Sequence, residues 1–303
     1  MSPGSEPPTW GGEPAGDLLP SWECRRIGAG VPHRGRGAPF GYHEAKRIMA
    51  ARKALTSRSV LLSVLLGTDP PRLPVQLLVR TAALFGIPEG TARTALSRMA
   101  VAGEVAGDGD GWYGITADHL LARQARQTAS RRARTDAWDG RTWLEAVVVA
   151  GRRRSAADRA TLRATLAAAR LSELREGVWL RPDNLEEARS IEAEEVRWFR
   201  SAPVGDPKEL ARRLWDLDGW AHRARGLQSS MAALLDPLVA GDRQVLAEGF
   251  VVSADVLRHL QSDPLLPRVL LPPDWPGGAL RDGYDRYDDA YRSVLGRWFG
   301  EHG

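Results

Sequence analysis

Three segments between residues 57 and 103 carry apolar residues at helical spacing. They predict short helices over 57–67, 74–86 and 88–103. Ser57 or Ser59 is the expected N-cap of the first helix, since a hydroxyl oxygen there accepts from the free N–H groups of the first turn. The third helix repeats its apolar positions at i, i+3, i+4 and i+7, at Ala92, Ala95, Leu96 and Met99.

A hairpin pattern follows the third helix. The stretch "GEVAGDGDGWYGIT", residues 103–116, reads as strand, Gly/Asp turn and strand. Between the second and third helices, Gly86 is suited to a left-handed helix stop and Pro88 to a helix start. Three short helices followed by a two-stranded hairpin is the order of a winged helix-turn-helix, which we predict for residues 52–116.

The remaining pattern predicts two further domains behind a linker helix. Residues 117–136 form an arginine-rich helix pattern without an acid between Asp118 and Asp136. Within 137–204, strands and helices alternate as β-α-β-α-β, which indicates a ferredoxin-like domain. The strands fall at 142–150, 176–182 and 196–202, and the helices at 155–171 and 184–195. Residues 205–303 are mainly helical, so the expected fold class is α+β.

Residues 1–51 have no apolar periodicity and are rich in proline and glycine. Such a segment buries too little apolar surface to offset its ordering entropy. Two interpretations stay open: the segment is a disordered extension, or it results from a wrongly assigned start and translation begins at Met49.

Composition and charge narrow the class of protein. No apolar run approaches the ~20 residues of a membrane helix, and no secretory signal is recognisable. The one cysteine, Cys24, excludes an internal disulfide framework and a cysteine-based zinc site, so a cytoplasmic setting is expected. Residues 52–135 hold 12 Lys and Arg against 6 Asp and Glu, although the whole chain has a net charge of only +4. A positive excess confined to one segment is typical of an attached nucleic-acid-binding domain.

The outward face of the third predicted helix carries the candidate DNA contacts. A helical wheel places these five side chains outward, where they can reach base edges or phosphates: Thr91, Arg93, Thr94, Ser97 and Arg98. The alternatives are an ordinary solvated helix face and a winged-helix module that binds protein. Arginines of the linker helix are candidate contacts to the DNA backbone, or else part of a solvated linker: Arg123, Arg126 and Arg131. A third arginine group is either a surface cluster, the favoured interpretation, or a site for the phosphates of an effector: Arg152, Arg153 and Arg154.

We find no pattern that indicates catalysis, a metal or a cofactor. The six histidines lack metal-ligand spacing, and nucleophile-elbow, Walker A and dinucleotide-binding motifs are absent. A nuclease related to the ferredoxin-like domain needs carboxylates at the end of its first strand, where this chain has arginines. A divergent metal-dependent nuclease is kept only as a minor alternative. The acids Asp285, Asp288 and Asp289 are interpreted as a solvated helix face.

Several of these stretches together resemble the PaaX-type transcriptional regulators, which repress phenylacetic acid catabolism operons. The resemblance is carried by "GIPEGTARTALSRM", "GWYGIT", "WDGRTW", "GVWLRPDNL" and "LLPPDWPG", and it covers about residues 56–300. It implies a winged-helix domain with its recognition helix at 88–103 and its wing at 104–116. It also implies a ferredoxin-like central domain similar to CRISPR adaptation nucleases and a helical C-terminal domain. Finally, it implies a homodimeric repressor that leaves double-stranded operator DNA on binding an acyl-CoA, with phenylacetyl-CoA as the default effector.

Overall fold

Three short helices and a three-stranded sheet form the first part of the structure. The computed structural model describes residues 56–149 and 155–302, so the N-terminal extension lies outside the described residues. The elements are α1 (Ser57–Leu66), β1 (Arg72–Pro74), α2 (Val75–Leu84), α3 (Glu89–Val101), β2 (Val105–Gly107) and β3 (Trp112–Ile115). The three helices and the β2–β3 hairpin are those that the sequence predicts.

Local signals set the ends of these helices. The cap of α1 is Thr56, whose Oγ1 accepts from the backbone N–H of Ser59 at 3.1 Å, so the expected cap at Ser57 or Ser59 is wrong by one or more positions. Gly86, after α2, has a φ of 72°, the left-handed conformation that glycine adopts without strain. Pro88 is the N-cap of α3, and the helix itself begins at Glu89.

Strand β1 is an element that the sequence analysis missed. It pairs antiparallel with β3, which gives the sheet order β1-β3-β2. The strand is three residues long and ends at Pro74, which lacks a backbone N–H and is therefore tolerated at a sheet edge. Three residues are too few for an alternating pattern of apolar and polar positions.

The inner faces of α1, α2 and α3 share one hydrophobic core. Its side chains that are less than 2% exposed include the large ones Leu61, Leu65, Leu78, Leu96 and Met99. Burying one such side chain stabilises the fold by about 1.5–3 kcal/mol. This core fixes the rotation of α3, and therefore which of its residues face outward.

The middle of the chain forms a four-stranded antiparallel sheet with helices. After α4 (Asp118–Arg132) come β4 (Trp143–Val148), α5 (Ala156–Ala168), β5 (Ser172–Arg175), β6 (Val178–Pro182), α6 (Glu186–Arg189) and β7 (Val196–Ser201). The strand order is β5-β6-β4-β7. Strand β5 is additional to the predicted pattern, and the predicted helix over 184–195 is one turn, α6. β5 lies at the sheet edge with Leu174 and Arg175 exposed, so it lacks the alternation that reveals a half-buried strand.

The last part of the described chain is helical. It consists of α7 (Pro207–Leu214), α8 (Leu217–Val239), α9 (Leu246–Gln261), a 3₁₀ turn (Arg268–Leu270) and α10 (Gly277–His302). On α10 a row of buried tyrosines faces α9, and two of their hydroxyls donate to backbone carbonyls: Tyr287 to Gly249 at 2.8 Å and Tyr291 to Leu246 at 3.1 Å. Among the described residues, no helix combines the length and the apolar character that a membrane span requires.

Three arginines, one buried and two partly buried, join the C-terminal ends of three helices. Arg181 of β6 is fully buried and donates to the carbonyls of Ala169 and Arg170 after α5, at 3.3 and 3.2 Å. Arg170 donates to the Gln261 carbonyl at the end of α9, and Arg281 to the Ser130 carbonyl near the end of α4. Helix ends leave carbonyls without a partner, and the guanidinium groups supply the missing donors. Burial lowers the pKa of Arg181 to about 9, with the Arg170 charge adding to the effect.

Candidate nucleic-acid interface

Helix α3 presents the polar face that the sequence predicts. Ala92, Leu96 and Met99 are buried in the core. All five outward candidates are exposed: Thr91, Arg93, Thr94, Ser97 and Arg98. The candidate side chains are therefore accessible to a ligand on one side of a helix that is anchored on its other side.

An open groove of about 660 Å³ runs along one edge of this face. Thr91, Thr94 and Arg98 line it from α3, and the first residues of α1 form the opposite wall. Arg93 and Ser97 do not line the groove. The structure thus divides the five candidates into three groove residues and two that lie beside the groove.

Two of the candidates also make contacts within α3. The Nε of Arg93 donates to the Glu89 carboxylate at 2.8 Å, four residues earlier, and both side chains are exposed. The Thr94 hydroxyl donates to the Gly90 carbonyl at 2.7 Å. An exposed ion pair of this kind contributes only about 0.3–0.5 kcal/mol, so a ligand that binds Arg93 loses little by separating it from Glu89.

An ion pair between Arg58 and Glu104 holds one end of the groove. Arg58 Nε donates to Glu104 Oε2 at 2.8 Å, and Arg58 Nη2 donates to Oε1 of the same carboxylate. This two-pronged contact joins α1 to the residue just before β2. It neutralises both charges within the groove lining.

The turn of the β2–β3 hairpin is stabilised by Asp108. Its Oδ1 accepts from the backbone N–H groups of Asp110 at 2.9 Å and Trp112 at 3.1 Å. Desolvation alone raises the pKa of Asp108, but these N–H donors and the Arg72 guanidinium outweigh it and lower the pKa. Arg72 lies 4.9 Å from the centroid of the exposed Trp112 ring and also pairs with Asp108. The sequence pattern does not single out Arg72, because this residue lies on the unpredicted strand β1.

The candidate arginines of the linker helix differ in their surroundings. Arg126 is exposed on α4, while the side chain of Arg123 lies outside the described residues. Arg131 contacts α10 instead: it donates to Asp285 at 2.8 Å and to Asp288 at 3.1 Å, and it lies 5.0 Å over the Tyr284 ring. Burial opposes its charge, but these partners raise the pKa of Arg131. This engagement is evidence against the predicted backbone contact for Arg131, because a phosphate would have to displace two carboxylates.

Comparison with known proteins adds to this geometry. A family model described as PaaX-like protein matches residues 56–118, and one described as PaaX-like protein C-terminal domain matches residues 215–299. A solved structure, the uncharacterized protein Rv0674 from Mycobacterium tuberculosis, is 40% identical, with a TM-score of 0.62, and the match covers 80% of this chain and 98% of that one. The chain belongs to the PaaX-like protein family. No curated protein matches it.

The matched segments of this PaaX-like chain contain the candidate interface. The first segment includes α1, α2, α3 and the whole three-stranded sheet, and the second includes α8, α9 and nearly all of α10. These two PaaX-like domains indicate a regulator of the PaaX type.

Three other groups of residues were candidates for a function: possible metal ligands, the acidic residues of α10 and an arginine cluster. No cluster of three or more His, Cys, Asp or Glu suited to a metal occurs among residues 56–149 and 155–302. Asp288 is buried against Arg131 and Arg292, so the predicted solvated acidic face is wrong at that position. The arginine cluster 152–154, a candidate phosphate contact for an effector, lies outside the described residues.

Proposed function

We propose that this PaaX-like chain is a DNA-binding transcriptional regulator that reads its site with α3. The observation that carries the proposal is the exposed polar face of α3, anchored by buried Ala92, Leu96 and Met99. It lies in the positively charged segment of the chain and within the segment matched by the PaaX-like model. Helices of this kind place base-reading side chains in the major groove.

The domain assignment is part of the proposal. Residues 52–116 act as a winged-helix domain with the β2–β3 hairpin as its wing, and 117–136 as the linker helix. Residues 137–204 act as a ferredoxin-like domain, which the strand order β5-β6-β4-β7 supports because a split β-α-β unit inserts its third strand between the first two. Residues 205–303 act as the helical C-terminal domain.

The family resemblance supplies the rest of the proposed mechanism. The regulator is a cytoplasmic homodimer that represses transcription from an operator and is released by an acyl-CoA, with phenylacetyl-CoA as the first effector to test. PaaX-family regulators are in general non-enzymatic, and we propose no catalytic role for this chain. A closed two-fold dimer would require two half-sites related by the same symmetry.

Footprinting of the DNA upstream of the chain's own gene tests the proposal. We expect one protected palindromic site, with an affinity that falls steeply as salt rises, since each neutralised phosphate contributes about −0.9 to the slope of log K against log salt. Arg93→Ala and Arg98→Ala should weaken binding, whereas Arg212→Ala, an exposed arginine on α7, should not. The proposal fails if no site is protected. No DNA shift at physiological salt together with a stable protein partner would instead favour a protein-interaction module.

A further inference from the structure

The α3 face consists of two neighbouring stripes with different surroundings. Thr91, Thr94 and Arg98 recur at intervals of three and four residues and face the groove beside α1. Arg93 and Ser97 form the adjacent stripe, outside the groove and exposed. Residues on the two stripes would therefore meet different parts of a ligand that approaches α3.

The groove carries a net positive charge. Its charged lining residues are Arg58, Glu104 and Arg98. Arg58 and Glu104 neutralise each other through their two-pronged ion pair. Arg98 has no carboxylate within ion-pairing distance among the part of the chain that the structure describes, and it is exposed. The uncompensated charge favours an anionic ligand over a neutral one.

Small residues leave the groove open along its length. Gly90, Ala95 and Ala102 line it, and a methyl group added at Gly90 would meet no atom within 4 Å. Hydroxyl groups of Ser57 and Thr91 supply neutral donors on opposite walls. A narrow anionic chain can enter such a groove and contact donors on both sides.

We propose that this groove holds the sugar–phosphate backbone of one DNA strand, with Arg98 as a phosphate ligand, while Arg93 and Ser97 contact base edges. The inference rests on the proposed function and assigns separate roles within its site. Phosphates carry the charge of DNA and base edges do not, so the cationic groove matches the backbone. Contacts to phosphate position a protein on the duplex, and contacts to bases specify the sequence.

Equilibrium binding of the full chain to two duplexes of equal length tests this division. One duplex contains the footprinted site and the other a scrambled sequence, and both are titrated over a series of salt concentrations. Arg98→Ala should weaken both complexes by the same factor, about tenfold, and flatten the salt dependence by about 0.9. Arg93→Ala should instead lower the ratio of specific to scrambled affinity.

A second pair of variants tests the groove without removing a charge. Gly90→Leu fills the groove and should weaken both duplexes by a similar factor. Gly226→Leu is the matched control on α8, because a Cβ added there likewise meets no atom within 4 Å, and it should bind like the wild type. Circular dichroism of each variant verifies that the helices are formed.

Three results would overturn the inference. An Arg98→Ala variant that loses only the specific complex, with an unchanged salt slope, would make Arg98 a base contact. Wild-type affinity in a folded Gly90→Leu variant would show that the groove is empty in the complex. If the wild-type chain binds neither duplex, the proposed function fails, and this inference fails with it; the first two results leave the proposed function intact.

Discussion

Asp288 on α10 connects three helices through two arginines. Its Oδ2 accepts from Arg131 of α4 at 3.1 Å and from Arg292 of α10 at 2.9 Å. Arg292 in turn donates to the carbonyl of Gly67, which follows α1, at 3.2 Å. The carboxylate therefore links the C-terminal helix both to the arginine-rich helix and to the helices of the candidate interface.

Asp288→Ala should destabilise the fold more than the same substitution of any exposed acidic residue on α10. The Asp288 side chain is 8% exposed and loses two charge-assisted hydrogen bonds, each worth about 1.5–3 kcal/mol. The two arginines are 30% and 53% exposed, so water partly replaces the carboxylate. We therefore expect a loss of about 2–4 kcal/mol in the free energy of unfolding. At about 2–4 °C per kcal/mol for a unit of this size, the Tm should fall by roughly 5–15 °C.

Asp285→Ala is the matched control. Asp285 pairs with the same Arg131 at 2.8 Å, but its side chain is 60% exposed. Its loss should cost less than about 1 kcal/mol, because water and salt screen an exposed pair. Thermal and urea unfolding of both variants, followed by circular dichroism, measures the difference. If Asp285→Ala costs as much as Asp288→Ala, burial does not set the strength of this network and the reasoning is wrong.

Two further predictions concern the helical C-terminal part. Burial lowers the pKa of His259, although its hydrogen bond to the Trp220 carbonyl opposes the shift. The imidazole is therefore protonated more readily in the unfolded chain than in the folded one. The free energy of unfolding should be highest above pH 6.5 and decline as the pH falls below that value. His259→Phe should flatten that decline in urea titrations from pH 8 to 5, and an unchanged profile would contradict this assignment. Gly249→Ala should cost about 1–3 kcal/mol, because its Cβ would lie 2.9 Å from Tyr287 Oη. Gly226→Ala, in open space, should be neutral or stabilising in the same unfolding assay, and equal effects at the two glycines would argue against the close packing of α9 on α10.

Much of the candidate interface is predictable from local sequence. The repeat of Ala92, Leu96 and Met99 at helical spacing determines which side of α3 is apolar, and the structure buries all three. Gly86 marks the turn before α3 because glycine alone adopts a left-handed conformation without strain. The Gly/Asp run likewise predicts the hairpin turn, which Asp108 closes through backbone hydrogen bonds. These features depend on neighbouring residues only.

The division of the α3 face was not predictable, because it depends on how α1 packs beside α3. A helical wheel places five residues on the same outward side and cannot distinguish between them, because it shows one helix without its neighbours: Thr91, Arg93, Thr94, Ser97 and Arg98. Only the packing of α1 against α3 places three of them in a groove. The role of Arg131 has the same origin: its partners Asp285 and Asp288 lie more than 150 residues away in the chain.

The sequence by itself determined the three helices of the candidate interface, the hairpin, the charged segment and the outward side of α3, all through periodicity and turn chemistry within a few residues. Tertiary structure decided the pairing of β1 with β3 and the insertion of β6 between β5 and β4. It also decided the hydrogen bonds that arginine side chains donate to carbonyls at the ends of distant helices. Short edge strands and long-range ion pairs leave little local pattern, because their stabilisation comes from partners that only folding brings near. For the same reason, the sequence predicts which α3 residues can contact a ligand. Only the folded structure separates the groove residues Thr91, Thr94 and Arg98 from Arg93 and Ser97.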